Sequence, residues 1–390
     1  MIYLDNAATT QMCPQAIRAF ISSVNTFGNP GSPHKTGVDA KRAVEKAREQ
    51  VAGLLHTSPE HIIFTAGGTE SNNLAVKGRG GIVAAWYPDI EHPSVTNASK
   101  ALNGTEGGFF DGEFSYLSAA EDGFAGIADG IAADPRGRNG SVLSVMLANN
   151  EINIENDVKS IAGLCGDRGI VFHTDCVQAA GYQDIDVEDI GCDSASISSH
   201  KIYGPKGVGA LYVRDLSRYR PVIDGGGQER GLRAGTENVQ AIIGFGAACE
   251  YVSQNLGEIR RGIDSAKSAF IQTLNNMIDE HSLGVECRYN MPPELPGKTI
   301  SICFPGIDSE TMVYALDSNG VVVSAGAACS SHEQKPSRVL KALGLSDEDA
   351  MCSIRVSFGK DTTIADATQA AAVIYNTAVI LKRMSGTQKQ

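Results

Sequence analysis

The chain has 390 residues, 42% of them hydrophobic, and a formal net charge of -12. That length exceeds what one hydrophobic core usually supports, so two domains, or a large one with a smaller appendage, are expected. The acidic balance argues against direct nucleic-acid binding, which needs clustered Lys and Arg.

In chain order, residues 1–6 lack a basic stretch followed by an apolar run, and no apolar run reaches membrane-spanning length, so neither secretion nor membrane insertion is expected. Residues 35–55 read as an amphipathic helix, with Val38, Val44, Ala47, Val51, Leu54 and Leu55 at helical spacing. A strand follows at 61–65, and Ala66-Gly67-Gly68-Thr69 then opens a helix-like run. Its backbone amides suit a phosphate at a helix N-terminus, and they suit an ordinary tight turn equally well.

Short apolar runs at 82–86, 142–147, 170–173, 195–198 and 208–213 alternate with helix-like segments such as 158–168, which predicts a mainly parallel sheet covered on both faces. Phe172-His173-Thr174-Asp175 ends one of these runs, where ligands gather in open α/β sheets. A carboxylate there suits a pyridine nitrogen, keeping it protonated so that the ring acts as an electron sink. A capping aspartate and a metal site of His173, Asp175 and Cys176 are the alternatives, although zinc would want a fourth partner at diagnostic spacing.

Ser198-Ser199-His200-Lys201 closes the next run. A lysine at a strand end in a partly dry site loses stabilisation of its ammonium form and can condense with an aldehyde; a surface lysine beside a turn is the bland alternative. The run from Gly225 to Thr236 is too glycine-rich for a core element and carries two arginines, which suits an anion-facing or interface loop, or a hinge. Residues 237–280 read as long helical structure interrupted near Gly257.

A second strand-and-helix region follows, with strands expected at 299–304, 321–323 and 354–358. Nine cysteines are scattered without a CxxC pair, against a zinc knuckle or disulfide scaffold and in keeping with a reducing cytoplasm. Cys329 stands apart, because Ser324-Ala325-Gly326-Ala327-Ala328-Cys329-Ser330-Ser331 surrounds it with small residues only. A thiol on such a loop can reach a substrate and withdraw, whereas Cys303, inside an apolar strand, reads as an inert hydrophobe.

Taken together, these segments make the chain resemble the cysteine desulfurases, pyridoxal-phosphate enzymes of the class V aminotransferase superfamily, and specifically the subgroup with a long catalytic-cysteine loop. The resemblance runs nearly end to end through Tyr3-Leu4-Asp5-Asn6-Ala7-Ala8-Thr9-Thr10, Phe27-Gly28-Asn29-Pro30, Thr69-Glu70-Ser71-Asn72-Asn73-Leu74, Asn149-Asn150-Glu151, His173-Thr174-Asp175, His200-Lys201 and Arg233-Ala234-Gly235-Thr236. It implies an α/β fold of the fold-type I pyridoxal-phosphate class, with a large domain over 15–255 holding a mainly parallel sheet between helices. A smaller α+β domain, from 1–14 and 256–390, would carry the cysteine loop at about 324–336.

The resemblance further implies pyridoxal 5'-phosphate as cofactor, bound through its aldehyde to Lys201, with Asp175 at the ring nitrogen, Gln178 at the phenolate oxygen and His92 stacked on the ring as a proton shuttle. Gly68, Thr69, Ser198 and His200 match phosphate contacts, and Thr236 would reach the phosphate of the second subunit of a homodimer. Asn150 matches a contact to both cofactor and substrate, and Arg355 a group that holds the substrate carboxylate. The implied reaction converts L-cysteine to L-alanine, with Lys201 taking the α-proton and Cys329 taking the sulfur as a persulfide for a sulfur-acceptor protein. Another class V enzyme (a transaminase or selenocysteine lyase) and a non-catalytic sulfur-transfer scaffold are the rival readings. The chain departs from the family pattern at Cys176, Ser199 and Asn153, all small or tolerant of unusual backbone angles. Lys335 replaces a commonly acidic residue, a charge change that bears on acceptor docking more than on chemistry.

Overall fold

The computed structural model describes residues 1–82, 84–103, 140–280, 285–325 and 335–387. The chain divides into two compact units, one of residues 11–148 and 156–256, the other of residues 1–10, 149–155 and 257–390.

In the larger unit, α1 (Pro14–Ser22) and α2 (Lys35–Leu54) precede β2 (Ile62–Thr65), α3 (Gly68–Lys77), β3 (Ala84–Trp86), α4 (Pro93–Asn103), β4 (Ser141–Ser144), α5 (Val158–Asp167), β5 (Val171–Asp175), α6 (Val187–Ile190), β6 (Ser194–Ser198) and β7 (Gly209–Val213); β1 (Ile2–Tyr3) belongs to the smaller unit. The six strands β2 to β7 form one sheet in the order 2-7-6-5-4-3. Strands β3 to β6 run parallel; β7 is antiparallel to both neighbours, so β2 points the same way as the other four. The expected mainly parallel α/β sheet is present.

The central strands are buried along their whole length, which is why they read as continuous apolar or small-residue runs and not as alternating ones. Helix α3 lies across the sheet. Its Leu74 and Ala75 join Ile63, Leu211 and Val213 in one core cluster, while Val76 joins Ala85 and Val142 in another. Helix α2 buries Val44, Ala47, Val51 and Leu54 as its spacing predicts, but Val38 in its first turn is exposed and Ala40 is buried instead.

Helix α7 runs unbroken from Val239 to Glu280, so the expected interruption at Gly257 does not occur. A glycine costs a helix interior only about 1 kcal/mol relative to alanine, and the apolar residues on either side, among them Val252, Ile259 and Ile263, are buried and offset it.

In the smaller unit, β8 (Arg288–Tyr289), β9 (Thr299–Cys303), β11 (Ser324–Ala325) and β12 (Ser353–Ser357) form an antiparallel sheet in the order 11-12-9-8. β1 pairs in parallel with β10 (Val321–Val322). The last long helix, Ile364–Thr387, requires a second correction. Its stretch Ile364–Met384 is long and apolar enough to cross a membrane by composition. It nonetheless buries Ala367, Ala370, Ala371, Ile374, Tyr375 and Ala378 along one stripe, as the core helix of a folded domain does.

Candidate functional site

Five strands of the larger unit point the same way, and the predicted site residues follow their carboxyl ends. Gly68 and Thr69 follow β2, His92 follows β3, Asp175 ends β5, Gln178 lies three residues further on, and Ser198, His200 and Lys201 follow along from the end of β6. Strands β5 and β6 are hydrogen-bonded neighbours with Asp175 opposite Ser196. This is where an open α/β sheet leaves room for a ligand.

The turn from β2 into α3 is built around Gly67, whose φ of +151° disfavours any side chain. The carboxylate of Glu70, in the first turn of α3, accepts the backbone N–H of Ala66 at 2.8 Å and the guanidinium of Arg233 at 2.9 Å. The first N–H groups of α3 have no acceptor within the helix and form a ready anion site. A cavity of about 600 Å³ opens there, and Gly68, Thr69, Ser198 and His200, the four predicted phosphate contacts, all line it together with Lys206. Burial, followed by the neighbouring charges of Lys201 and Lys206, pushes His200 down to about 4, so at neutral pH its ring is uncharged and offers one N–H.

Asp175 is 5% exposed. One carboxylate oxygen accepts the backbone N–H of Val177 at 2.9 Å and the other accepts Asn72 Nδ2 at 2.7 Å. The same Asn72 nitrogen donates to Ser94 Oγ at 2.8 Å, and Ser94 Oγ lies 2.7 Å from His92 Nδ1. His173, fully buried, places Nε2 3.0 Å from Asn72 Oδ1 and Nδ1 2.9 Å from Ser194 Oγ. Burial lowers its pKa to about 4 and keeps it neutral.

Both His173 nitrogens are thus engaged in hydrogen bonds, burial raises the Cys176 thiol well above its ordinary value, and among the described residues no three of His, Cys, Asp and Glu gather as a metal site would require. Burial likewise lifts Cys165, Cys192 and Cys287 to about 12 and Cys303 to about 11, marking inert thiols.

In the smaller unit, Arg355 on β12 is 3% exposed. It donates Nη1 to the backbone oxygen of Asn150 at 3.0 Å and Nη2 to the Asp5 carboxylate at 2.8 Å, while its Nε is buried with no hydrogen-bond partner among the described residues. Asn150 and Arg355, predicted to act on one substrate group, are therefore in contact. Neighbouring Glu151 has its pKa raised by burial and accepts the hydroxyl of Ser337. Thr236 is exposed in the larger unit. Cys329 lies outside the described residues.

Sequence reading missed Asn72, Ser94, Ser194 and Asp5 as contributors. Asn72 and Asp5 stood inside segments that carried the family resemblance, but a buried asparagine on a helix has no periodic signature of its own. The glycines of the β2–α3 turn fit a phosphate: a Cβ at Gly68 would come within 2.8 Å of Val177 Cγ2, so the turn is kept free of side chains where the cavity meets the helix N-terminus.

Residues 2–369 match the family model described as aminotransferase class-V. A relative from Clostridium botulinum, named cysteine desulfurase IscS, is 37% identical over 375 residues, covering 94% of this chain and 91% of its own. A solved structure titled NifS-like protein superposes with a TM-score of 0.83 at 29% identity, covering 97% of this chain and 100% of that one. A third, titled SspA in complex with cysteine, does so with a TM-score of 0.74 at 29% identity, covering 92% and 99%.

Proposed function

The chain belongs to the class-V aminotransferases and, within them, to the cysteine desulfurases, and from that premise we propose that it takes sulfur from L-cysteine, leaves L-alanine, and passes the sulfur to an acceptor protein. The observation that carries this reading is the buried carboxylate of Asp175 beside the strand that leads into Lys201, at the open end of a parallel sheet. Pyridoxal 5'-phosphate fits the donor set there: a helix N-terminus and hydroxyls for its phosphate, a carboxylate for its ring nitrogen, and a lysine for its aldehyde. When bound, the cofactor supplies an electron sink for charge at the substrate's Cα.

The chain's own residues do the rest. Gly68, Thr69, Ser198 and His200 bind the phosphate, with Thr236 of a second copy joining them in a homodimer. Asp175 holds the ring-nitrogen proton, Gln178 donates to the phenolate oxygen, and His92 stacks on the ring and moves protons. Arg355 and Asn150 hold the substrate carboxylate, with the guanidinium offering Nε to it. Lys201 takes the proton from Cα. The Cys329 thiolate attacks the substrate sulfur; the sulfur–Cβ bond breaks, a sulfur–sulfur bond forms, and the departing electron pair stays with the carbon skeleton, which gains protons to become alanine. The eight cysteines among the described residues are free thiols, in keeping with a reducing compartment such as the cytoplasm.

The test is incubation with L-cysteine and a thiol reductant while sulfide and alanine are measured together. Equimolar release is expected from the wild type. Lys201→Ala is expected to lose the coloured cofactor, and Cys329→Ser to keep the colour and release no sulfide. Sulfide release by Cys329→Ser at the wild-type rate would remove Cys329 as nucleophile.

A further inference from the structure

Asn72 is 1% exposed, and its side chain joins two residues proposed to touch the cofactor ring. Only one orientation of its amide works. With Nδ2 toward Asp175 at 2.7 Å and Ser94 at 2.8 Å, both amide protons are donated; the reverse would set the amide oxygen against the Asp175 carboxylate. The oxygen then faces His173 Nε2 at 3.0 Å, while Nδ1 lies 2.9 Å from the Ser194 hydroxyl and 3.2 Å from the Ser194 carbonyl oxygen.

The same logic continues toward His92. Ser94 Oγ accepts from Asn72, which leaves its own proton for His92 Nδ1 at 2.7 Å, and the Ser94 backbone N–H points to that nitrogen at 3.1 Å. With two donors aimed at it, His92 Nδ1 is an acceptor, and the ring proton sits on Nε2.

We infer that Asn72 is a positioning residue that fixes the Asp175 carboxylate directly and, by turning the Ser94 hydroxyl toward Nδ1, reinforces the His92 tautomer that the Ser94 backbone N–H also favours. The inference rests on the proposed reading of Asp175 and His92 as cofactor contacts, but the relay itself is a property of the chain. Without Asn72, Asp175 keeps the Val177 N–H as its hydrogen-bond donor among the described residues, and the Ser94 hydroxyl loses the donor that turns it toward His92.

The test compares the full-length wild type with Asn72→Ala and Ser94→Ala, each with and without pyridoxal phosphate. With cofactor, Asn72→Ala is expected to bind it at least about tenfold more weakly, a loss of about 1.4 kcal/mol, and to change its visible circular dichroism. Ser94→Ala keeps the Asn72–Asp175 bond and is expected to stay within about twofold of wild-type affinity while also changing that spectrum. Without cofactor, imidazole ¹⁵N shifts should report His92 as the Nε2-protonated tautomer in the wild type and a smaller share of that tautomer in both variants, where the Ser94 backbone N–H is the remaining oriented donor to Nδ1.

One tautomer shared by all three proteins overturns the relay whatever the cofactor does. If Asn72→Ala fails to fold, Ser94→Ala decides alone by the same nitrogen shifts. A wild type that takes up no coloured cofactor contradicts the functional reading instead, and leaves the nitrogen shifts to judge Asn72.

Discussion

Arg48 and Glu229 form a two-pronged ion pair, Nη1 to Oε2 at 2.7 Å and Nη2 to Oε1 at 2.8 Å, although they are only 4% and 6% exposed and lie 181 residues apart. Burial alone would depress the guanidinium, but Glu229 and then Glu45 overcome it and leave Arg48 raised. Glu229 Oε2 also accepts the Phe64 N–H at 2.8 Å, and the Arg48 guanidinium lies over the Phe64 ring. The glycine-rich run from Gly225 to Thr236 is therefore anchored in its middle, where Glu229 and Arg230 hold left-handed backbone angles of +46° and +58°. Removing Glu229 leaves the buried guanidinium the half-exposed Glu45 and the Ile62 carbonyl as partners, so the loss falls toward the lower end of the roughly 3–5 kcal/mol for breaking a buried pair. Glu229→Ala should lower the unfolding free energy obtained from urea titration by that amount, whereas Asp189→Ala, which breaks the exposed Lys159–Asp189 pair, should leave it almost unchanged. Equal effects would show that the anchor contributes nothing beyond a surface pair.

Gly68→Ala tests the phosphate turn. The added methyl would sit 2.8 Å from Val177 Cγ2 and 3.7 Å from Ser198 Cβ, at the point where the cavity meets the first turn of α3. The Val177 side chain, two residues after Asp175, must shift to make room. Affinity for pyridoxal phosphate, followed by absorbance titration, is expected to fall at least about tenfold, with a loss in thermal stability of about 1–3 kcal/mol for the overpacking. Wild-type affinity in the variant would mean that this turn does not hold the phosphate.

How much of this was legible in the sequence follows from the range of the physics involved. Strand ends are local, so the apolar runs placed Asp175 and Lys201 at the ends of strands, although only the family resemblance chose among the roles open to them, and the helical spacing of Val44, Ala47 and Val51 gave the buried face of α2. Gly257 misled because local propensity favours a break, and burial of the apolar residues around it overrides that preference. Asn72 was unreadable as a relay because its partners are 22, 101 and 103 residues away, beyond any periodic pattern. Glu229 was hidden for the same reason: in sequence it is one charge in a polar loop, and only the fold brings Arg48 to it.

The cofactor-free protein is expected to lose stability as pH falls from about 6.5 to about 4. His173 has an ordinary value of 6.5 and is pushed down to about 4 by burial. Within that window the unfolded chain binds a proton that the folded chain refuses, so stability rises with pH and is lost on acidification. Below about 4 both states are protonated and the loss is complete. The contribution is on the order of 3 kcal/mol for fully buried His173. His200 adds to it in the same direction, its effect reduced by solvent screening. Urea unfolding at pH 7 and pH 4.5 should show a smaller difference for His173→Gln than for the wild type. An equal difference in both would mean that His173 takes up its proton without unfolding.

Arg355→Lys separates substrate holding from the rest of the site. In the smaller unit the guanidinium gives one Nη2 proton to Asp5 and one Nη1 proton to the Asn150 carbonyl, so its orientation is fixed while three of its five N–H donors, Nε among them, are left for a substrate carboxylate. A lysine ammonium keeps the charge but has no fork: it can pair with Asp5 or with a carboxylate, and cannot be held by one while presenting a planar edge to the other. The KM for L-cysteine is expected to rise about 10- to 100-fold, a loss of about 1.4–2.7 kcal/mol of binding. The absorbance of the loaded enzyme before substrate arrives should not change, because Arg355 is not among the residues proposed to hold the cofactor. A pure fall in kcat with unchanged KM would instead assign Arg355 to the reacting state, and an altered resting spectrum would assign it to the cofactor.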